Sequence, residues 1–158
     1  MSAAKPVEGA LLLCLDLQPV FLKAVGGGIR MQRRCEFAIA AAHGLGMPVA
    51  FTEQAPAKLG ATEPALLELA GSPVAIAKDT FSALAAGSPA RRALTEGRSI
   101  EHLILCGVET PICVFQTAVD ALQAGIRRLT TLVATEHVDA TAVADARIRR
   151  AITGLTAR

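Results

Sequence analysis

Five short runs of almost unbroken apolar residues, spaced by longer stretches with helical periodicity, leave this chain few folds to choose from. The runs fall at 10–15 (ALLLCL), 48–52, 74–77, 102–106 and 128–133. A strand with no polar face must be buried on both sides, and sheets buried on both sides are parallel and covered by helices. Helical segments are expected near 30–45, 63–69, 89–96, 111–124 and 141–152, with Gly44, Gly46, Gly71, Gly97 and Gly125 as their stop signals. The expected fold is therefore α/β: a three-layer α/β/α sandwich around a central, mainly parallel sheet of five or six strands. With 158 residues, 52% of them hydrophobic, the chain can build one full core, and no repeat or Pro- or Ser-rich linker divides it. A single domain over 1–158 is expected.

Several function classes are disfavoured at this level. Sixteen Lys and Arg against fourteen Asp and Glu give a net charge of +2, far from the basic excess that nucleic-acid binding requires. The arginine pairs at 33/34, 91/92, 127/128 and 149/150 sit near element ends and read as solvated surface. No Trp or Tyr is present, so an aromatic cage is excluded. The N-terminus does not resemble a signal peptide and no run reaches the roughly 18 apolar residues of a membrane span, so a cytoplasmic protein without a membrane partner is expected. Cys14, Cys35, Cys106 and Cys113 lack CxxC or Cys/His spacing, and His43, His102 and His137 are scattered; no metal, cofactor or disulfide is expected. Gly26, Gly27 and Gly28 lack the spacing of a phosphate loop and read as a flexible or ligand-covering loop.

In open parallel sheets the ligand sits beyond the carboxyl ends of the strands, where strand order reverses. Asp16, Gln18 and Phe21 follow the first run, Glu53 and Gln54 the second, Lys78 and Phe81 the third, and residues 109–113 the fourth. Gln18, Phe21, Gln54 and Phe81 are candidate substrate contacts, although core roles suit the two phenylalanines equally well. The segment GVETPIC (107–113) carries the chemistry. Thr110 is a candidate N-cap, Pro111 would take the first helical position, and Cys113 would then lie in the first turn. There the helix dipole and a nearby cation, for which Lys78 is best placed, are expected to lower the thiol below its usual pKa of about 8.5. Asp16 could accept the thiol proton, and backbone N–H groups of the turn 108–113 could hold an oxyanion. The reaction class is acyl transfer to sulfur followed by hydrolysis. The plainer alternatives are a buried structural thiol at Cys113, a turn carboxylate at Asp16 and a solvated lysine at Lys78.

Three motifs, LDLQPVF (15–21), KDTFSA (78–83) and GVETPICVFQTA (107–118), resemble those of the isochorismatase-like cysteine hydrolases in order and approximate spacing. That resemblance implies a sheet order of about 3-2-1-4-5 and a catalytic triad of Asp16, Lys78 and Cys113. It also implies a cis peptide between Val108 and Glu109 that would turn the Glu109 and Cys113 amides into an oxyanion hole. TEQAPAKLG (52–60) and the tail 145–151 resemble the isochorismatase domain-containing subgroup rather than the nicotinamidases, whose metal-ligating Asp and His are replaced here by Glu53 and Gln54. At 133–136, VATE stands where the family commonly places an Asp-Ala pair. The implied activity is cysteine-dependent hydrolysis of a small amide or related C–N substrate. The alternatives are isochorismatase-type vinyl-ether hydrolysis, a non-catalytic scaffold of the same fold, and a nucleotide-binding module. Relatives of this kind commonly form dimers or larger assemblies, so a homo-oligomer (dimer or tetramer) is expected.

Overall fold

Every residue of the first strand, β1 (Ala10–Leu15), is buried. Because strand side chains alternate between faces, Leu11, Leu13 and Leu15 enter one hydrophobic cluster and Leu12 and Cys14 another on the opposite side. One strand thus sits in the middle of two cores. The computed structural model describes residues 7–133. The expected helix at 141–152, the VATE departure beyond Val133, the tail likeness at 145–151, His137, Arg149 and Arg150 lie outside the described residues.

Around β1 the order is α1 (Pro19–Ala24), α2 (Gly28–Gly44), β2 (Val49–Gln54), α3 (Pro56–Leu59), α4 (Pro64–Glu68), β3 (Ile76–Lys78), α5 (Pro89–Thr95), β4 (His102–Gly107), a π-helical turn (Thr110–Val114), α6 (Phe115–Gln123) and β5 (Arg128–Val133). The five strands form one parallel sheet in the order β3-β2-β1-β4-β5, as the family resemblance implied. Order reverses between β1 and β4, and the register sets Leu15 beside both Thr52 and Gly107. β1 and β4 therefore end level, and β2 runs two residues further, to Gln54. α2 supplies Met31, Cys35, Ile39 and Ala42 to one core, while Leu94 of α5 and Ala118 and Ala121 of α6 close the other.

Two glycines matter for packing. A Cβ on Gly107 would collide with the Leu15 carbonyl and lie 2.7 Å from the Leu15 Cβ, so the close approach of β4 to β1 at the reversal requires glycine. A Cβ on Gly28 would collide with the Leu22 carbonyl. This corrects the reading of 26–28 as a loose loop: Gly27, at φ 75°, caps α2 and Gly28 is packed against α1. Gly44 lies inside the last turn of α2, and the left-handed residue after that helix is Gly46. The helices α1 and α3, six and four residues long, are too short for periodicity to reveal.

Candidate active site

At each of the three strand ends that frame the site the chain leaves through a left-handed residue: Asp16 (φ 55°) after β1, Ala55 (φ 40°) after β2 and Glu109 (φ 57°) after β4. Non-glycine residues occupy this region at a cost of about 1–2 kcal/mol, and such positions concentrate at functional sites. No cis peptide occurs among the described residues, so the expected cis bond between Val108 and Glu109 is replaced by a trans peptide followed by the left-handed Glu109. Glu109 also takes the cap position assigned to Thr110 from sequence. Thr110 opens the π-helical turn, Pro111 is its second residue and Cys113 its fourth.

Asp16 is buried and is fixed from β2: the Thr52 hydroxyl donates to its Oδ1 at 3.0 Å, and its own N–H donates to the Thr52 carbonyl at 3.1 Å. Its Oδ2 lies 2.7 Å from Lys78 Nζ. Lys78 ends β3, two strands from β1, a span of roughly 10 Å that its long stem is able to bridge. Its ammonium donates to Gln54 Oε1 at 2.6 Å and to the carbonyls of Thr80 and Phe81 at 3.2 Å each, and approaches Cys113 Sγ at 3.8 Å. Asp16, Lys78 and Cys113, drawn from the ends of three strands, thus meet around one sulfur.

That sulfur is not activated in the way the sequence led one to expect. Burial pushes the Cys113 thiol up to about 12; the neighbouring Asp16 carboxylate pushes the same way, Lys78 opposes it, and a hydrogen bond to Asp16 and the charge of Glu109 add to the rise. One ammonium and a helix start do not outweigh desolvation and two carboxylates. Such a shift favours the thiol over the thiolate at neutral pH. The other three cysteines are buried together, Cys106 Sγ lying 3.7 Å from Cys14 Sγ and 3.9 Å from Cys35 Sγ. Hydrogen bonding to Cys106 and burial push the Cys35 thiol well up, and hydrogen bonding to Cys14 and burial push Cys106 up against the opposing effect of Cys35, which fits the expectation that they are inert core.

The four residues suggested as substrate contacts are placed differently from one another. Gln18 is wholly buried and its amide is spent on the backbone: Oε1 accepts from Gln54 N at 2.7 Å, and Nε2 donates to the Gln54 and Gly60 carbonyls. It braces the β1 exit against the segment after β2. Gln54 presents its side-chain oxygen to Lys78. Phe21 is half-buried and packs against the core on the α2 side, whereas Phe81 is 56% exposed. Sequence reasoning missed Thr52, the hydrogen-bond donor to Asp16; its register opposite Leu15 was the available signal. It also missed the side chain of Glu109, whose Oε2 lies 3.8 Å from Cys113 Sγ. Among the described residues no cluster of His, Cys, Asp and Glu could hold a metal ion, and no helix is long and apolar enough to cross a membrane.

A family model for the isochorismatase domain matches residues 10–152, nearly the whole chain. The chain belongs to the isochorismatase family. Among curated relatives it is 32% identical over 121 residues to isochorismatase domain-containing protein 2A of Mus musculus, covering 76% of this chain but 56% of the mouse protein; it spans roughly half the length of the curated relatives it matches. Among solved structures it is similar to the MAR1 ribonuclease of Caenorhabditis elegans, with a TM-score of 0.77 and 27% identity over 92% of this chain and 74% of that one. It also shares its fold with the YcaC gene product of Escherichia coli, described as an octameric hydrolase of unknown specificity (TM-score 0.76, 21% identity, 90% of this chain and 72% of that one). The isochorismatase-like hydrolase fold of this chain carries its strand-end residues at the reversal of strand order, where such sheets bind ligands.

Proposed function

We propose that this isochorismatase-family protein is a cysteine-dependent hydrolase of a small amide or related C–N substrate, with Cys113 as nucleophile. The observation that carries the reading is the meeting of Asp16, Lys78 and Cys113 from three strand ends, at 2.7 Å and 3.8 Å from the shared ammonium. Apart from its ion pair with Lys78, Asp16 Oδ2 has no other partner among the described residues, which leaves a lone pair for the thiol proton.

Because the resting sulfur is protonated, attack and deprotonation are coupled. As Sγ bonds to the carbonyl carbon, its proton passes to Asp16, and Lys78 offsets the charge as it moves between sulfur and carboxylate. The N–H groups of Glu109, at the cap of the π-helical turn, and of Cys113, within it, are the candidates to hold the developing oxyanion. Collapse expels the amine with the proton from Asp16 and leaves a thioester. Asp16 then takes a proton from water as the water attacks the thioester carbon, and the acid leaves as sulfur regains a proton. Gln18 and Thr52 hold the parts in place, and a homo-oligomer, by analogy with the octameric E. coli neighbour, is part of the proposal. The ribonuclease name of the C. elegans neighbour is not carried over, since the only cation within reach of the thiol among the described residues is already engaged by four oxygens.

The test is a panel of small amides assayed for ammonia release, comparing wild type with Cys113→Ala, with mass spectrometry for an acyl adduct on Cys113. Turnover lost in the variant, with an adduct in the wild type, is expected. Turnover retained by Cys113→Ala points to thiol-independent vinyl-ether hydrolysis, and no turnover or adduct on the whole panel points to a scaffold.

A further inference from the structure

Among the described residues the charges around Cys113 do not cancel. Asp16 and Lys78, 2.7 Å apart, sum to zero. The three N–H bonds of the Lys78 ammonium already face four oxygens, on Asp16, Gln54, Thr80 and Phe81, so none is free for a substrate carboxylate. Glu109 is different: it is half-buried, and the only polar partner of its carboxylate among the described residues is the Cys113 thiol, 3.8 Å from Oε2. Among the described residues no cation is paired with that carboxylate, and the left-handed backbone of Glu109 holds it at the start of the turn that carries Cys113.

We propose that the Glu109 side chain sets the charge preference of the site, admitting amides that carry a cationic group beside the scissile carbonyl and rejecting those that carry a carboxylate. A carbonyl carbon poised for attack sits roughly 3–3.5 Å from sulfur, which brings its neighbouring substituent within several ångströms of Glu109. Over that distance, with a discount for partial exposure, one uncompensated charge separates a cation or neutral group from an anion by at least about tenfold in rate. The inference rests on Cys113 being the accessible nucleophile. It adds a role for the Glu109 side chain to the one proposed for its main-chain N–H.

The experiment uses three thiol alkylating reagents on the full chain: iodoacetamide (neutral), iodoacetate (its anionic isostere) and 2-bromoethylammonium (cationic). Modification of Cys113 is followed by peptide mass spectrometry, and each rate is divided by that of the same reagent with a free cysteine peptide. In wild type the normalised rates should run cation, neutral, anion, with at least about tenfold between the last two. Glu109→Gln, which keeps shape and main chain, should bring iodoacetamide and iodoacetate to within about threefold and remove the advantage of 2-bromoethylammonium over iodoacetamide. In wild type the selectivity should also shrink when ionic strength is raised from about 0.02 M to 0.5 M, a readout that does not depend on the variant folding. Equal normalised rates in wild type, or a selectivity untouched by Glu109→Gln in a variant of wild-type thermal stability, overturns the charge inference and leaves the nucleophile standing. If none of the reagents modifies Cys113, both fall.

Discussion

Replacing Lys78 by Met isolates what the buried ion pair contributes. Lys78 and Asp16 face each other at 2.7 Å with side chains 1% and 3% exposed; at an effective dielectric constant of about 20, their attraction is about 6 kcal/mol. Desolvation of both ions offsets much of this in the native protein, but removing one partner leaves the other buried and uncompensated. Lys78→Met should therefore cost about 3–5 kcal/mol, a fall in Tm on the order of 10 °C for a chain of this size. Asp16→Asn should cost less, since the ammonium it leaves behind still has Gln54 and the Thr80 and Phe81 carbonyls as acceptors. The double variant should be more stable than Lys78→Met alone, because the stranded carboxylate is gone. Urea unfolding of the four proteins closes the cycle, with a coupling of at least about 2 kcal/mol expected. Additive effects within about 0.5 kcal/mol would refute the reasoning.

With the Cys113 thiol pushed up to about 12, its alkylation by iodoacetamide in the free protein should rise close to tenfold per pH unit from 7 to 10; since the thiolate forms only as pH rises toward that value, a plateau by pH 8 would contradict it. Gly107→Ala should destabilise the protein by at least about 2 kcal/mol, because the added Cβ collides with the backbone of the adjoining central strand; near-wild-type urea unfolding would show that β1 and β4 can separate at their ends.

The central strand was legible because ALLLCL has no polar face, and only a sheet covered on both sides accommodates it; the outer strands are less covered among the described residues, with Arg128, Thr130 and Leu132 of β5 exposed. Polar residues just beyond the apolar runs marked the site for the same topological reason. What stayed hidden depends on distances across strands. The stem of Lys78 crosses β2 to reach Asp16, and no spacing along the chain displays that. The amide of Gln18 looked available for a substrate because its partners, Gln54 and Gly60, lie 36 and 42 residues away. The direction of the Cys113 shift was misread because helix position and one cation can be counted from sequence, whereas burial and the carboxylates converging on the sulfur cannot. Gly26, Gly27 and Gly28 suggested looseness by composition alone, yet Gly28 is glycine because α1 leaves no room for a Cβ.

The left-handed corners at Asp16 and Glu109 have a bearing on how such a protein can change over time. Glycine would relax either corner by up to about 1 kcal/mol, so selection for thermal robustness alone pulls both positions toward it. Each drift would remove a charge within reach of the sulfur while leaving the sheet and both cores as they are. A descendant could then keep the fold and gain heat resistance while losing the proposed proton acceptor at one bend or the proposed charge preference at the other. On that reading, the acidic side chains at these two bends are kept against the pull of stability.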